Sequence, residues 1–198
     1  MSKSSFARIL LGVSLAALPM MAQETGRSEV SVQAFGSWVK NTTQNGVQQD
    51  ATNSGGVLAN YRFFFSKSHG VEINYGYSRN TQNYGLTTGP LGVKADQHEV
   101  TAAYVYRHTL KRFTPFVEAG VGGLVFSPTD DAPSVSTQTR AAFVYGGGAD
   151  FNITHRFFMR AQYRGFIYNS PTFDLAPAAG TDRITHRAEP SVGFGYRF

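Results

Sequence analysis

FTPFVEAGVGGLVF, residues 113–126, is the stretch on which the fold turns. Phe113, Pro115, Val117, Ala119, Val121 and Val125 share one parity, and Phe116, Glu118, Gly120 and Gly122 share the other. A period of two belongs to an extended strand, whose successive side chains point to opposite faces. One face of this strand is apolar throughout. The other holds its charge and two of its glycines.

The same alternation recurs on both sides of this segment, giving eight runs in all. Toward the N-terminus, Glu29–Val39 sets Val30, Val32, Ala34, Gly36 and Trp38 against Ser31, Gln33 and Ser37. Gly56–Phe65 sets Val57, Ala59, Tyr61, Phe63 and Phe65 against Leu58, Asn60, Arg62 and Phe64. Gly70–Tyr77 sets Val71, Ile73, Tyr75 and Tyr77 against Glu72, Asn74 and Gly76, and Gln97–His108 sets Val100, Ala102, Tyr104 and Tyr106 against Glu99, Thr101, Ala103 and Arg107. Toward the C-terminus, Arg140–Phe151 opposes Phe143, Tyr145 and Phe151 to Arg140, Gly146, Gly148 and Asp150. Phe157–Tyr168 opposes Met159, Ala161, Tyr163 and Ile167 to Arg160, Gln162 and Arg164. Ile184–Phe198 opposes Ala188, Val192, Phe194, Tyr196 and Phe198 to Arg187, Glu189, Gly193, Gly195 and Arg197.

No Asp, Glu, Lys or Arg falls on the apolar face of these runs. Hydrocarbon outside a closed wall explains that exclusion, because a cation at the bilayer midplane costs roughly 2–4 kcal/mol. Glycines on the charged face suit a narrow, crowded interior. The expected fold is all-β: a closed, antiparallel, up-and-down, eight-stranded transmembrane β-barrel. An antiparallel sandwich would instead put its charges outside and its apolar residues in the core.

The connections carry an independent pattern. Ser66–His69, Thr109–Arg112 and Thr154–Arg156 are short; Asn41–Asn53, Asn80–Asp96, Ser127–Thr139 and Asn169–Asp182 are longer and polar. Strict alternation of long and short is what an up-and-down barrel with both termini in the periplasm requires. Phe63, Phe65, Phe113, Phe151, Phe157 and Phe198 gather at the short-turn end, while Trp38, Tyr77 and Tyr145 are the expected anchors at the other interface.

Mean hydropathy of −0.23 would suit a soluble chain, but a membrane barrel dilutes its apolar face with a polar interior. The absence of cysteine excludes disulfides, Cys-zinc sites and thiol catalysis. The net charge is +5, yet Lys and Arg are scattered, so no nucleic-acid partner is expected. Lys3 and Arg8 precede an apolar run, Ile9–Leu18, and Ala22 offers a small residue before a cut. Residues 1–22 therefore read as a cleaved signal peptide, and residues 23–198 as the barrel domain.

The chain ends EPSVGFGYRF, with Val192, Phe194, Tyr196 and Phe198 on one face. This resembles the C-terminal signature of bacterial outer-membrane β-barrel proteins, and the resemblance implies that these four residues are read by the barrel assembly machinery. FTPFVEAGVGG (113–123) and YGGGADFNITHRFFMRAQYR (145–164) resemble the OmpA/OmpX-type barrel domain. The resemblance implies an outer-membrane location with outer-membrane lipids and lipopolysaccharide as partners. Nothing resembling the peptidoglycan-binding domain of OmpA-type proteins follows the barrel, so cell-wall anchoring is not carried over.

The candidate interior residues are Arg62, Glu72, Glu99, Arg107, Glu118, Arg140, Arg160 and Arg164, with Asp150, Arg187, Glu189 and Arg197 beside them. Buried charges are costly unless paired, so a web of structural ion pairs is expected, a gated ion path being the alternative. The histidines, His69, His98, His108, His155 and His186, have no metal-ligand spacing, and no cofactor is expected. His98 and His186 fall on the lipid-facing side near the outer rim, where a lipid A-modifying enzyme would need its base. No serine shares that face within the strands, so no nucleophile–base pair is formed. Gly36-Ser37-Trp38 matches a short lipocalin pattern, but a lipocalin would reverse the two faces. Asp130–Asp131 is an acidic pair that could attract a divalent cation. The expected role is non-enzymatic, structural or surface-interacting, through loops open to an unidentified extracellular ligand.

Overall fold

A computed structural model describes residues 27–40, 42–44, 47–51, 53–86, 89–129, 137–169 and 184–198. The expected signal peptide and the Asp130–Asp131 pair lie outside the described residues. The described elements are ten strands: β1 (Ser28–Val39), β2 (Thr42–Gln44), β3 (Val47–Ala51), β4 (Ser54–Phe64), β5 (His69–Leu86), β6 (Gly89–Arg107), β7 (Phe113–Pro128), β8 (Gln138–Asn152), β9 (Phe157–Asn169) and β10 (Ile184–Arg197). β1 and β4–β10 form a closed wall of eight strands. Each pairs antiparallel with its neighbours, with β5 on β6 and β1 on β10 completing the circle.

The register shows how the wall closes without turning inside out. From Glu29, directly opposed register partners run through Arg62, Glu72, Ala103, Gly120, Val144, Phe166 and Arg187 and return to Val39. Val39 lies ten residues beyond Glu29 on the same strand. An even stagger keeps the inward parity inward all the way round; an odd one would set ionic residues against lipid. Strands staggered in this way tilt by roughly 35–45°.

The short turns are closed by local hydrogen bonds. Ser66 Oγ accepts from the His69 backbone at 3.0 Å, and Thr154 Oγ1 accepts from the Phe157 backbone at 2.9 Å. Leu110 N donates to Phe113 O at 2.9 Å. Hydroxyl side chains serve here because they complete a tight turn without demanding unusual backbone.

Two of the expected long loops are largely strand. β5 and β6 stay paired from Asn80↔Ala95 to Leu86↔Gly89, and β2 and β3 occupy most of 42–51, with β3 paired to the β5 extension at Gln49↔Tyr84. The polar composition of these stretches suggests loops because both of their faces are polar. Above the bilayer water bathes both sides, so the ladder continues without an apolar stripe. Past the ends of the eight apolar runs, the outward face of this extension carries charge. Arg79 and Asp96 lie on it, joined at 2.6 and 3.2 Å, at the outer end beyond Tyr77 and His98.

Candidate functional site

The wall directs two sets of side chains, one into the lumen and one into the lipid. Val32, Val57, Ile73, Val100, Val117, Val121, Val192 and Phe194 are all more than half exposed on the outer face. The inner face packs polar groups to almost complete burial. Arg62, Arg160, Arg164 and Arg187 are among its largest fully buried side chains.

The lower web, at the short-turn end, centres on Glu29. Its Oε1 accepts from Arg107 Nη1 at 2.6 Å and from Arg197 Nε at 2.8 Å, and its Oε2 accepts from Arg160 Nη2 at 3.0 Å. Arg160 also forks onto Asp150 at 2.7 and 2.8 Å. Arg62 bonds to Glu72 and reaches Glu118 at 3.3 Å, and Gln162 donates to Glu118 at 2.8 Å. Four carboxylates, from Glu29, Glu72, Glu118 and Asp150, thus face four guanidinium groups, from Arg62, Arg107, Arg160 and Arg197. Balance of this kind is what allows so many charges inside a low-dielectric wall.

The upper web is a smaller ring. Arg164 Nη2 bridges Glu99 at 2.5 Å and Glu189 at 2.7 Å. Arg187 Nη2 bonds to Glu99 and lies 2.6 Å from Glu189. Each arginine spends one nitrogen on both acids. Nε and Nη1 of Arg164 and of Arg187 are buried without a hydrogen-bond partner among the described residues.

Between the charges stand aromatic rings. The guanidinium of Arg107 lies 3.4 Å from the Phe64 ring centre, Arg62 lies 3.9 Å from Phe116, Arg187 4.3 Å from Phe166 and Arg197 4.5 Å from Phe158. Such stacking covers an arginine face that cannot hydrogen-bond. The glycines are where neighbouring groups press in. A Cβ on Gly76 would stand 2.5 Å from Glu99 Cγ, and one on Gly146 would stand 2.8 Å from Glu118 Oε1. Replacing Gly76 with valine is therefore expected to push Glu99 out of the upper ring and cost about 1–3 kcal/mol. Urea unfolding of the refolded variant in lipid vesicles measures this, and unchanged stability would contradict the packing described.

Arg62, Glu72, Glu99, Glu118, Arg160 and Arg164 of the expected interior set meet in these two webs, and Arg107 reaches the lower one from a partly buried position. Arg140 stands apart near the outer mouth, half-buried, donating to Gln138 at 3.3 Å. Sequence reading missed the hub itself. Glu29 opens its strand and shares parity with Ser31 and Gln33, which is the signal that could have found it. It also missed the inward Phe35, Phe126, Phe158 and Phe166, all buried.

Aromatic side chains stand at both ends of the wall. Trp38 packs over Gly36, and Tyr145 covers Gly165. Tyr77 Oη donates to Asp96 at 3.1 Å. Both rim histidines are engaged by tyrosines: His98 Nδ1 shares a 2.8 Å hydrogen bond with Tyr75 Oη, and His186 Nε2 shares one of 2.8 Å with Tyr145 Oη. Val192, Phe194 and Phe198 face outward, and the ring of Tyr196 lies 6.0 Å from that of Phe198.

A sequence model described as "Outer membrane protein beta-barrel domain" matches residues 9–198. The fold is similar to that of OprG from Pseudomonas aeruginosa, with 15% identity over 88% of this chain and 97% of that one and a TM-score of 0.63. It is similar to Neisserial surface protein A, with 12% identity over 89% of this chain and 100% of that one and a TM-score of 0.62. It is similar also to Ail, the attachment invasion locus protein of Yersinia pestis, with 20% identity over 88% of this chain and 100% of that one and a TM-score of 0.58. At these identities the likeness is one of fold. No curated protein sequence matches the chain.

Proposed function

The chain belongs to the outer-membrane protein β-barrel domain family, and from that premise we propose that it is a non-enzymatic barrel whose work is done at its outer surface. The carrying observation is the lumen. It holds two ionic webs and phenylalanine rings stacked on their arginines, leaving the outer end as the part free to engage something else. That end is built up rather than trimmed, since β2, β3 and the extensions of β5 and β6 stand on it as a small sheet. Lipopolysaccharide is the proposed lipid partner there, beside Arg79 and the exposed Lys40 and Lys94. The non-enzymatic reading is supported by the partners of His98 and His186, each bonded to a rim tyrosine rather than to a serine hydroxyl. We also propose that residues 1–22 are removed on export and that Val192, Phe194, Tyr196 and Phe198 present the assembly signal.

A second reading, a narrow path for small ions, is favoured by one observation. The four unpartnered arginine nitrogens of the upper ring are the kind of buried donor that water satisfies. Planar-bilayer recording separates the two readings. The barrel is expected to show no steady unit conductance. Reproducible steps would favour the path, and their loss in Arg164→Met would locate it.

A further inference from the structure

The short-turn end of the barrel differs in charge from everything above it. Among the described residues it exposes Arg27, Lys67, Lys111, Arg112 and Arg156, spread over the start of β1 and all three turns. No described residue of this end exposes an Asp or Glu side chain, because Glu29 and Asp150 are buried in the lower web. Each turn also offers an exposed apolar side chain next to its cation: Phe65 (53%) near Lys67, Leu110 (47%) before Lys111, and Ile153 (62%) before Arg156. In open water those apolar tips would be a liability; at a membrane surface the pairing is what partitions best.

One of these cations, Arg156, is also aimed. Arg156 Nη1 donates at 3.2 Å to the hydroxyl of Tyr196, an outward-facing residue whose ring lies 5.1 Å from Phe157 and 6.0 Å from Phe198. The guanidinium is thereby held against the lipid side of the wall, at the level of the aromatic girdle formed by Phe65, Phe113, Phe157 and Phe198. That level is where phospholipid headgroups lie.

We infer that this end is a collar for anionic phospholipid, with Lys67, Lys111, Arg112 and Arg156 binding phosphodiester headgroups of the leaflet that faces the periplasm. Cations close to a charged bilayer surface each attract it, and a ring of them selects anionic over zwitterionic lipid. Guanidinium and ammonium groups recognise phosphate by charge-assisted hydrogen bonds. The inference rests on the family assignment and not on the outer-surface role, so either can fail alone.

The test uses the full barrel refolded in nanodiscs of mixed phosphatidylcholine and phosphatidylglycerol, then stripped gently in detergent, with retained lipid read by mass spectrometry. Phosphatidylglycerol should be enriched over phosphatidylcholine. The combined substitution Lys67→Gln, Lys111→Gln, Arg112→Gln and Arg156→Gln should reduce the enrichment at least about fivefold. Thr109→Gln, an exposed substitution in the same turn as Lys111 and Arg112, should leave it unchanged. Heat-dependent gel mobility confirms folding, and if the combined variant does not fold, Arg156→Gln alone should still lower the enrichment while Arg156→Lys preserves it. No enrichment in the native chain, or full enrichment in a folded variant lacking the cations, overturns the inference. Binding of polyglutamate to the detergent-solubilised barrel without lipid enrichment would assign the collar to an acidic protein and equally overturn it.

Discussion

Glu29→Ala is expected to destabilise the folded barrel by about 3–5 kcal/mol, the cost of leaving buried cations without their counter-charge. Three arginines from β6, β9 and β10 converge on this one carboxylate. They are not equally exposed to its loss. Arg160 keeps its fork on Asp150, Arg197 keeps Asn152 at 2.5 Å, and Arg107 keeps the Lys67 carbonyl at 3.1 Å. The lower web nevertheless passes from four acids facing four arginines to three facing four. Urea titration of the refolded chain in vesicles reads the loss. Adding Arg197→Met should recover part of it, because the second change removes one of the stranded cations. A loss below about 1 kcal/mol, with no recovery in the double variant, would show that Glu29 is not the hub its bonds make it.

Arginine at Val121 is the complementary test, directed at the other face. Val121 is 65% exposed on a strand whose inward neighbours are Gly120 and Gly122. In water such a residue would accept arginine at little cost. Against hydrocarbon the substitution costs roughly 2–4 kcal/mol near the midplane, enough to prevent stable insertion of a small barrel. Ile73→Arg on β5 is expected to behave alike. Val135→Arg, in the polar connection outside the described residues, should assemble normally. Heat-modifiable mobility of outer-membrane fractions separates the three, and equal tolerance would contradict a lipid-facing wall.

Both tests turn on features unequally visible in the sequence. Lipid makes the wall legible: wherever hydrocarbon touches a strand, alternate residues are apolar, and Val30 to Trp38 or Val117 to Val125 declare their faces. Where lipid ends, so does the alternation, which is why β5 and β6 extend to Leu86 and Gly89 through residues with the composition of a loop. Inside the lumen, alternation separates in from out but does not name partners. It puts Arg62 and Glu118 on the inner face; only the folded register brings them within 3.3 Å. The buried phenylalanines are harder still, since Phe158 and Phe166 resemble any lipid-facing Phe. Their parity with Arg160 and Arg164 on the same strand is the available clue, and it becomes persuasive only once guanidinium stacking is considered.

The ten-residue offset around the wall also limits how such a chain can change in length. Inserting one residue within a strand would reverse the orientation of every side chain beyond it, and the circle leaves no free border at which to absorb the slip. Growth and shrinkage are therefore tolerated where the lattice stops, beyond the outer rim. The enclosed cylinder stays fixed while the part that meets the surroundings is free to diversify.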